Sequence, residues 1–325
     1  MPSTLYTSLK QFGQVKSNES LAKYTSFKIG GPAKFLLVVH ITEKLIDALK
    51  FLDAEGIRYV ILGGGSNMLV RDEGFDGVVI RLQTLDFKLQ EDVVEAEAGC
   101  ATVKVAQESI KAGLTGFEWG VGVPGTIGGA VRGNAGAMDG EMKDVVQTVT
   151  IYKDGEMVTL SKADCQFGYR DSIFKHKGGV VIKVIERLEI SASLARPSGL
   201  GKALEYLQYR NKTQPQGLAS TGCIFKNFEF SNSDLGFLVS NFQKLNIEIP
   251  LEFVAAGKIP AAWLVEKADL KGVKVGKAIV SDRHGNFIVN LGGATSSDVI
   301  TLIEKVKQVV YNKFGIELKE EIEVI

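Results

Sequence analysis

Apolar residues recur at helical spacing in two well-separated stretches. From Thr42 to Glu55, Leu45, Ile46, Leu49 and Leu52 share one face, Thr42 stands where a cap belongs, and Gly56 stops the run. From Ser297 to Phe314 a longer stripe of Val299, Leu302, Ile303, Val306, Val309 and Val310 predicts a second amphipathic helix. Shorter helical patterns cover Thr102 to Ala112 and Gly201 to Tyr209. Strand-like runs occupy Arg58–Leu62, Gly77–Leu82, Val93–Ala98, Val146–Tyr152, Glu156–Leu160 and Gly179–Ile190, then Lys277–Ser281 and Phe287–Asn290. Lys153-Asp154-Gly155 reads as a turn. After Leu62 the chain passes through Gly63-Gly64-Gly65-Ser66-Asn67 straight to another strand, which departs from a repeated βαβ pattern. Small residues and Pro197 from Ser191 to Lys202 suggest a connection between domains. Mixed strands and helices of this kind predict an α+β chain of two or three lobes.

Composition narrows the class. The 325 residues, 45% hydrophobic and 23% charged, describe an ordinary globular protein of more than one domain. Lys plus Arg and Asp plus Glu both number 38, so no global field would hold a polyanion, and nucleic acid is not an expected partner. Cys100, Cys165 and Cys223 are odd in number and far apart, which suits free thiols in a reducing compartment. With no secretory pattern at the start and no long apolar run, the expectation is a cytoplasmic protein, without membrane contact and monomeric. His40, His176 and His284 show no metal-ligand spacing, and no metal site is expected.

The one excess is glycine, 36 residues in all, ten of them between Gly113 and Gly140. Gly63-Gly64-Gly65-Ser66-Asn67 follows a strand, so its backbone could approach a ligand closely and form an anion-binding nest for a pyrophosphate; a tight strand-to-strand turn is the other reading. Neither a dinucleotide fingerprint nor a P-loop is present. The second cluster, Gly122 to Ala130 and then Gly133 to Ala137, could wrap a flat, extended ligand. Interleaved Trp119, Ile127, Val131 and Met138 argue for ordered packing over a mobile linker.

Three further positions carry chemistry. Arg170, among the aromatics of Phe167-Gly168-Tyr169-Arg170-Asp171-Ser172, could pair with a carboxylate or stand in a surface ion pair. Cys223 lies beside Gly222 and just before Lys226 and Asn227, and is read as a reactive thiol or a small core residue. Glu321 alternates in strand phase with Glu323, where a solvated carboxylate is the default.

Seven segments, taken in order, resemble the UDP-N-acetylenolpyruvoylglucosamine reductases, flavoenzymes of bacterial peptidoglycan synthesis. They are Tyr24 to Ala33, Leu62 to Leu69, Gly122 to Ala130, Asn134 to Gly136, Tyr169 to Phe174, Gly222 to Asn227 and Val280 to Asn290. The resemblance implies an α+β, vanillyl-alcohol-oxidase-type two-lobed FAD-binding fold with a C-terminal α+β substrate-binding domain. The expected divisions are 1–75, with a terminal strand at about 316–325 joining it, then 76–195, and 200–315 for the UDP-sugar. FAD would be held by Gly63, Gly64, Gly65, Ser66 and Asn67, with Gly122, Pro124, Gly125, Thr126, Gly128, Gly129, Ala130, Asn134 and Gly136.

By the same resemblance, NADPH would reduce FAD and UDP-N-acetylglucosamine enolpyruvate would then be reduced to UDP-N-acetylmuramate, with Arg170, Cys223 and Glu321 catalytic. Tyr169, Lys226 and Asn227 would bind substrate. Cys223 stands where the family usually has Ser. Phe228 replaces the family's usual Pro, and Glu229 to Gly257 is extra length. Two alternatives remain open on the residues alone: another FAD-dependent oxidoreductase of the same fold, or a non-catalytic UDP-sugar-binding protein.

Overall fold

The computed structural model describes residues 2–190 and 198–325. The chain divides into two compact units made of interleaved segments: unit 1 holds 1–20, 32–65 and 74–212, and unit 2 holds 21–31, 66–73 and 213–325. Of the connection expected over Ser191–Lys202, residues 191–197 lie outside the described residues, and Ser198 already belongs to a helix.

Unit 1 contains two main sheets and two small two-stranded ones. In the first, β1 (Gln14–Ser20), β2 (Pro32–Val39), β3 (Tyr59–Leu62) and β4 (Phe75–Leu82) lie in the order β1-β2-β4-β3. The β1/β2 pair is antiparallel, while β4 runs parallel to both β2 and β3. Helix α1 (Thr42–Ala54) covers this sheet with Leu45, Ala48, Leu49 and Leu52, all fully buried. Burying each leucine contributes roughly 1.5–3 kcal/mol, so the stripe rather than the cap secures the helix. Thr42 does not cap it: Ile41 holds that position without a side-chain bond, and the Thr42 hydroxyl donates to the Glu97 carboxylate.

The second sheet is antiparallel throughout. It holds β5 (Phe87–Gln90), β6 (Val93–Glu97), β7 (Val146–Lys153), β8 (Glu156–Ser161) and β9 (Val180–Arg187), in the order β8-β7-β9-β6-β5. The strand expected to run from Gly179 to Ile190 breaks after Arg187, because Glu189–Ile190 pairs instead with Leu114–Thr115. Helices α2 (Thr102–Lys111), α3 (Ile127–Gly133) and α4 (Ser198–Thr213) complete the unit. Gly128 lets α3 approach β6 closely, since a Cβ there would stand 2.7 Å from the Ala98 Cβ.

Unit 2 is built on a four-stranded antiparallel sheet ordered β10-β13-β12-β11. Its strands are β10 (Ala219–Cys223), β11 (Lys274–Val275), β12 (Ala278–Val280) and β13 (Phe287–Asn290). The extra length at Glu229–Gly257 contributes helices α5 (Asn232–Gln243) and α6 (Leu251–Ala256), followed by α7 (Ala261–Lys267). Leu238 and Phe242 of α5 enter the core, where Phe242 stacks on Phe314 at 4.8 Å between ring centroids. Phe314 ends α8 (Ser296–Phe314), which Thr295 and Asp298 open as a capping box and Gly315, at φ +71°, closes.

After α8 the chain does not form one long strand. Lys319 to Glu321 lies antiparallel to Ile224–Lys226, then the chain bends and β14 (Glu323–Val324) runs parallel to Met68–Leu69. The change of neighbour is what cuts the expected strand. Among the described residues no helix is long and apolar enough to cross a membrane.

Candidate active site

In unit 1 two glycine-rich loops meet main chain to main chain. A Cβ on Gly64 would lie 2.7 Å from the Gly125 Cα, and one on Gly63 would lie 2.5 Å from the Thr126 Oγ1. Gly65 and Gly125 have φ values of +60° and +114°, conformations that favour glycine. Gly122 packs so closely on the Arg210 side chain that a Cβ would reach its Cδ at 2.5 Å. The absence of side chains on the glycines is what lets the two loops come this close, and Gly63–Gly65 with Gly122–Thr126 are the residues that the family resemblance assigns to FAD.

The expected cofactor residues beyond Thr126 divide by role. The Thr126 hydroxyl accepts from the Gly129 N–H at the start of α3. Ala130 is buried, and Gly136 abuts the Gly140 carbonyl so closely that a Cβ would come within 2.5 Å of it. Asn134 is fully buried in the left-handed conformation that ends α3, and its amide is committed inside the protein. Its Nδ2 donates to a Glu141 carboxylate oxygen and to the Gly168 carbonyl, and its Oδ1 accepts from the Lys143 N–H at 3.0 Å. The packing expected around this glycine cluster is present: Trp119, Ile127 and Val131 are buried and Met138 is half-buried.

Arg170 belongs to the same unit. Gly168 and Asp171 exchange main-chain hydrogen bonds at 3.0 and 3.2 Å, which places Tyr169 and Arg170 at the tip of a tight turn. Arg170 has φ +53°, and its guanidinium donates to the carbonyls of Gly136 and Asn134 while lying 5.3 Å from the Tyr169 ring centre. Ser172 donates to the Arg132 carbonyl, Lys175 donates to the Arg170 carbonyl, and His176 pairs with Asp171. Burial pulls the Arg132 guanidinium below its usual range, a shift the nearby Asp171 opposes.

In unit 2 the segment that carries Glu321 runs beside the residues that follow Cys223. The Glu321 N–H donates to the Ile224 carbonyl at 2.8 Å, and the Lys226 N–H donates to the Lys319 carbonyl at 2.8 Å. A register shift between Ser220 and Cys223, with Gly222 at φ +79°, bulges β10 just before the half-buried Cys223. Asn286, buried, holds Phe225 at both main-chain groups, 2.8 Å each way. The Asn227 side-chain oxygen accepts from the Ala261 N–H at the first turn of α7.

Ser66 and Asn67, the second half of the first glycine loop, belong to unit 2. The Ser66 carbonyl accepts from Thr221, and Asn67 donates to the Glu321 carbonyl at 3.0 Å. Beside them Glu320 accepts from Lys307 at 2.8 Å, a bond that raises the Lys307 pKa. Cys100 and Cys165 are buried, and burial pushes each thiol up to about 11, which keeps both unreactive. Among the described residues no three His, Cys, Asp or Glu side chains gather as a metal site.

Sequence reasoning missed Glu141, Lys307 and, as an individual residue, Asn286. Asn286 lies within the Val280–Asn290 segment; Glu141 and Lys307 stand in no pattern that would have marked them.

Comparisons with known proteins agree with this layout. Residues 33–161 match the family described as FAD binding domain, and residues 214–325 match UDP-N-acetylenolpyruvoylglucosamine reductase, C-terminal domain. The chain is 39% identical over 310 residues to the UDP-N-acetylenolpyruvoylglucosamine reductase of Caldicellulosiruptor saccharolyticus, covering 95% of this chain and 91% of that one. It is 35% identical over 320 residues to the Bacillus subtilis protein of the same name, covering 97% and 95%. The crystal structure of the Thermus caldophilus UDP-N-acetylenolpyruvylglucosamine reductase superposes with a TM-score of 0.74 at 32% identity, covering 96% of this chain and 98% of that one. The α+β architecture is accordingly the FAD-binding fold of vanillyl-alcohol-oxidase type followed by a C-terminal α+β domain, and the chain belongs to the UDP-N-acetylenolpyruvoylglucosamine reductase family of FAD-dependent oxidoreductases.

Proposed function

We propose that this protein reduces UDP-N-acetylglucosamine enolpyruvate to UDP-N-acetylmuramate with NADPH as electron donor, a step in making peptidoglycan precursors in the cytoplasm. FAD, held by Gly63–Asn67 and the Gly122–Gly136 segment, supplies when bound a hydride that originates on NADPH and ends on C3 of the enolpyruvyl group. The residues of the chain manage the charge and the proton. As C3 gains the hydride, negative charge spreads from C2 onto the substrate carboxylate as an enolate. The Arg170 guanidinium pairs with that charge, and Glu321 acts on it either as a carboxylic acid donating a hydrogen bond or through a Lys or water.

Cys223 then gives its proton to C2. A thiol, with an ordinary pKa near 8.5, is a better acid than the aliphatic hydroxyl usual at this position. The thiolate regains its proton from water, so the turnover consumes one NADPH and one proton. Tyr169, Lys226 and Asn227 contact the substrate, with Lys226 offering charge to the diphosphate.

The observation that supports this reading is the pair of main-chain hydrogen bonds, Glu321 to Ile224 and Lys226 to Lys319, that joins the segment carrying Glu321 to the residues directly after Cys223, next to the register shift at Gly222. The test is to supply the FAD-loaded protein with NADPH and UDP-N-acetylglucosamine enolpyruvate and follow both NADPH absorbance and product mass. A product heavier by two hydrogens, formed one for one with NADPH oxidised, supports the reading. Yellow, folded protein that leaves the enolpyruvyl compound unchanged would overturn it.

A further inference from the structure

We propose that Asn134 and Glu141 are the positioning residues that set the Arg170 guanidinium. The inference rests on the role given to Arg170 above and deepens it. It starts from a strain: Arg170 holds φ +53°, and a residue other than glycine keeps a left-handed conformation only where its surroundings enforce it. The enforcement comes from below the turn. The Asn134 amide donates at 2.8 Å to the Gly168 carbonyl, the group that also accepts from the Asp171 N–H to close the turn.

The clasp is reciprocal. While the Asn134 side chain holds the base of the turn, the side chain at its tip returns, and the Arg170 guanidinium donates to the carbonyls of Asn134 and Gly136. Asn134 itself has one usable orientation. Glu141 and the Gly168 carbonyl are both acceptors and the Lys143 N–H is a donor, so only an amide with Nδ2 toward the first two satisfies all three. Glu141 is fixed in turn, its other oxygen 3.1 Å from the Lys143 ammonium and its N–H donating to Asp144. Asparagine is therefore required twice here, for a left-handed helix end and for a buried group that both donates and accepts.

The choice of variants follows from that double requirement. Asn134→Gly keeps the left-handed backbone at no steric cost and deletes only the amide. Glu141→Gln keeps an acceptor for Asn134, whereas Glu141→Ala removes it. The readout is the rate at which UDP-N-acetylglucosamine enolpyruvate reoxidises the NADPH-reduced enzyme, measured for each variant, for Arg170→Ala and for the double variant. Misplacing a positioned group by about 1 Å costs on the order of 10²-fold in rate, which is the loss expected for Asn134→Gly and for Glu141→Ala. Glu141→Gln should recover most of it. Because both residues act through Arg170, the double variant Asn134→Gly with Arg170→Ala should be within about threefold of Arg170→Ala alone.

If Arg170→Ala is slow while Asn134→Gly reoxidises at the wild-type rate, the positioning role falls and the role of Arg170 stands. If the two losses multiply in the double variant, Asn134 acts independently of Arg170 and the proposal is likewise wrong. If Arg170→Ala itself reoxidises normally, the reading of Arg170 fails and takes this inference with it.

Discussion

The Asn67 side chain donates to the main-chain carbonyl of Glu321 at 3.0 Å, while the Asn67 carbonyl accepts from the Glu323 N–H, also at 3.0 Å. The end of the first glycine loop is thereby fastened to the segment that carries the candidate catalytic carboxylate. Asn67→Ala should lower unfolding stability by about 1 kcal/mol, the usual worth of one such bond. Asn67→Asp should cost more, because a carboxylate would face the Glu321 carbonyl where a donor is needed. Denaturant unfolding of the two variants checks the order, and equal stability with the wild type would mean the bond contributes nothing.

Glu321→Gln tests the carboxyl group that this segment carries. An amide is a much weaker hydrogen-bond donor to developing negative charge than a carboxylic acid, so reoxidation by the enolpyruvyl substrate should slow about tenfold or more, while flavin reduction by NADPH changes little. Stopped-flow measurement of the two half-reactions separates these effects. Equal losses in both would make Glu321 a structural residue.

Glu186 gives unit 1 a pH dependence. It faces inward from β9 with no exposure, and neither carboxylate oxygen has a hydrogen-bond partner among the described residues. Burial pushes its pKa from 4.5 up to about 8. Between those values the folded protein holds a proton that the unfolded chain has released, so this group lowers stability as pH rises from about 4.5 to about 8. Melting temperatures of wild type and Glu186→Gln should therefore converge near pH 5 and diverge toward pH 8, with the variant the more stable. Parallel curves would show that Glu186 does not titrate in this window.

Helix α5, formed by the extra length, is part of the unit 2 core. Phe242 is fully buried between Phe314 and Trp263, with ring centres at 4.8 and 5.5 Å. Phe242→Ala should destabilise the fold by about 3–5 kcal/mol through the lost burial and the cavity left behind. Phe237→Ala, on a half-exposed neighbour in the same helix, should cost far less.

What was legible in the sequence follows from how each feature is held. Helices α1 and α8 announce themselves because their apolar stripes do the packing, and α8 adds a capping box and a terminal glycine. Helix α5 does not, since only Leu238 and Phe242 are buried along it. Alternation alone predicts one terminal strand over about 316–325, because it says nothing of a change of neighbour at residues 321–323. At the site, residue chemistry alone left Arg170 no better than a surface ion pair, and order among seven family motifs raised it above that. The clasp around Arg170 joins residues 7 and 34 apart through buried amide bonds, a separation that carries no periodic signal.

The central claim is that Cys223 supplies the proton to C2 after hydride reaches C3. The most direct test is anaerobic: reduce the FAD-loaded protein with NADPH, mix it with UDP-N-acetylglucosamine enolpyruvate, and watch the oxidised flavin colour return in wild type, Cys223→Ser and Cys223→Ala. General acid catalysis is typically a factor of about 10²–10⁴, so Cys223→Ala should bleach normally with NADPH yet recolour slower by that factor, while Cys223→Ser stays active. Recolouring of Cys223→Ala at close to the wild-type rate, with product formed, would contradict the account.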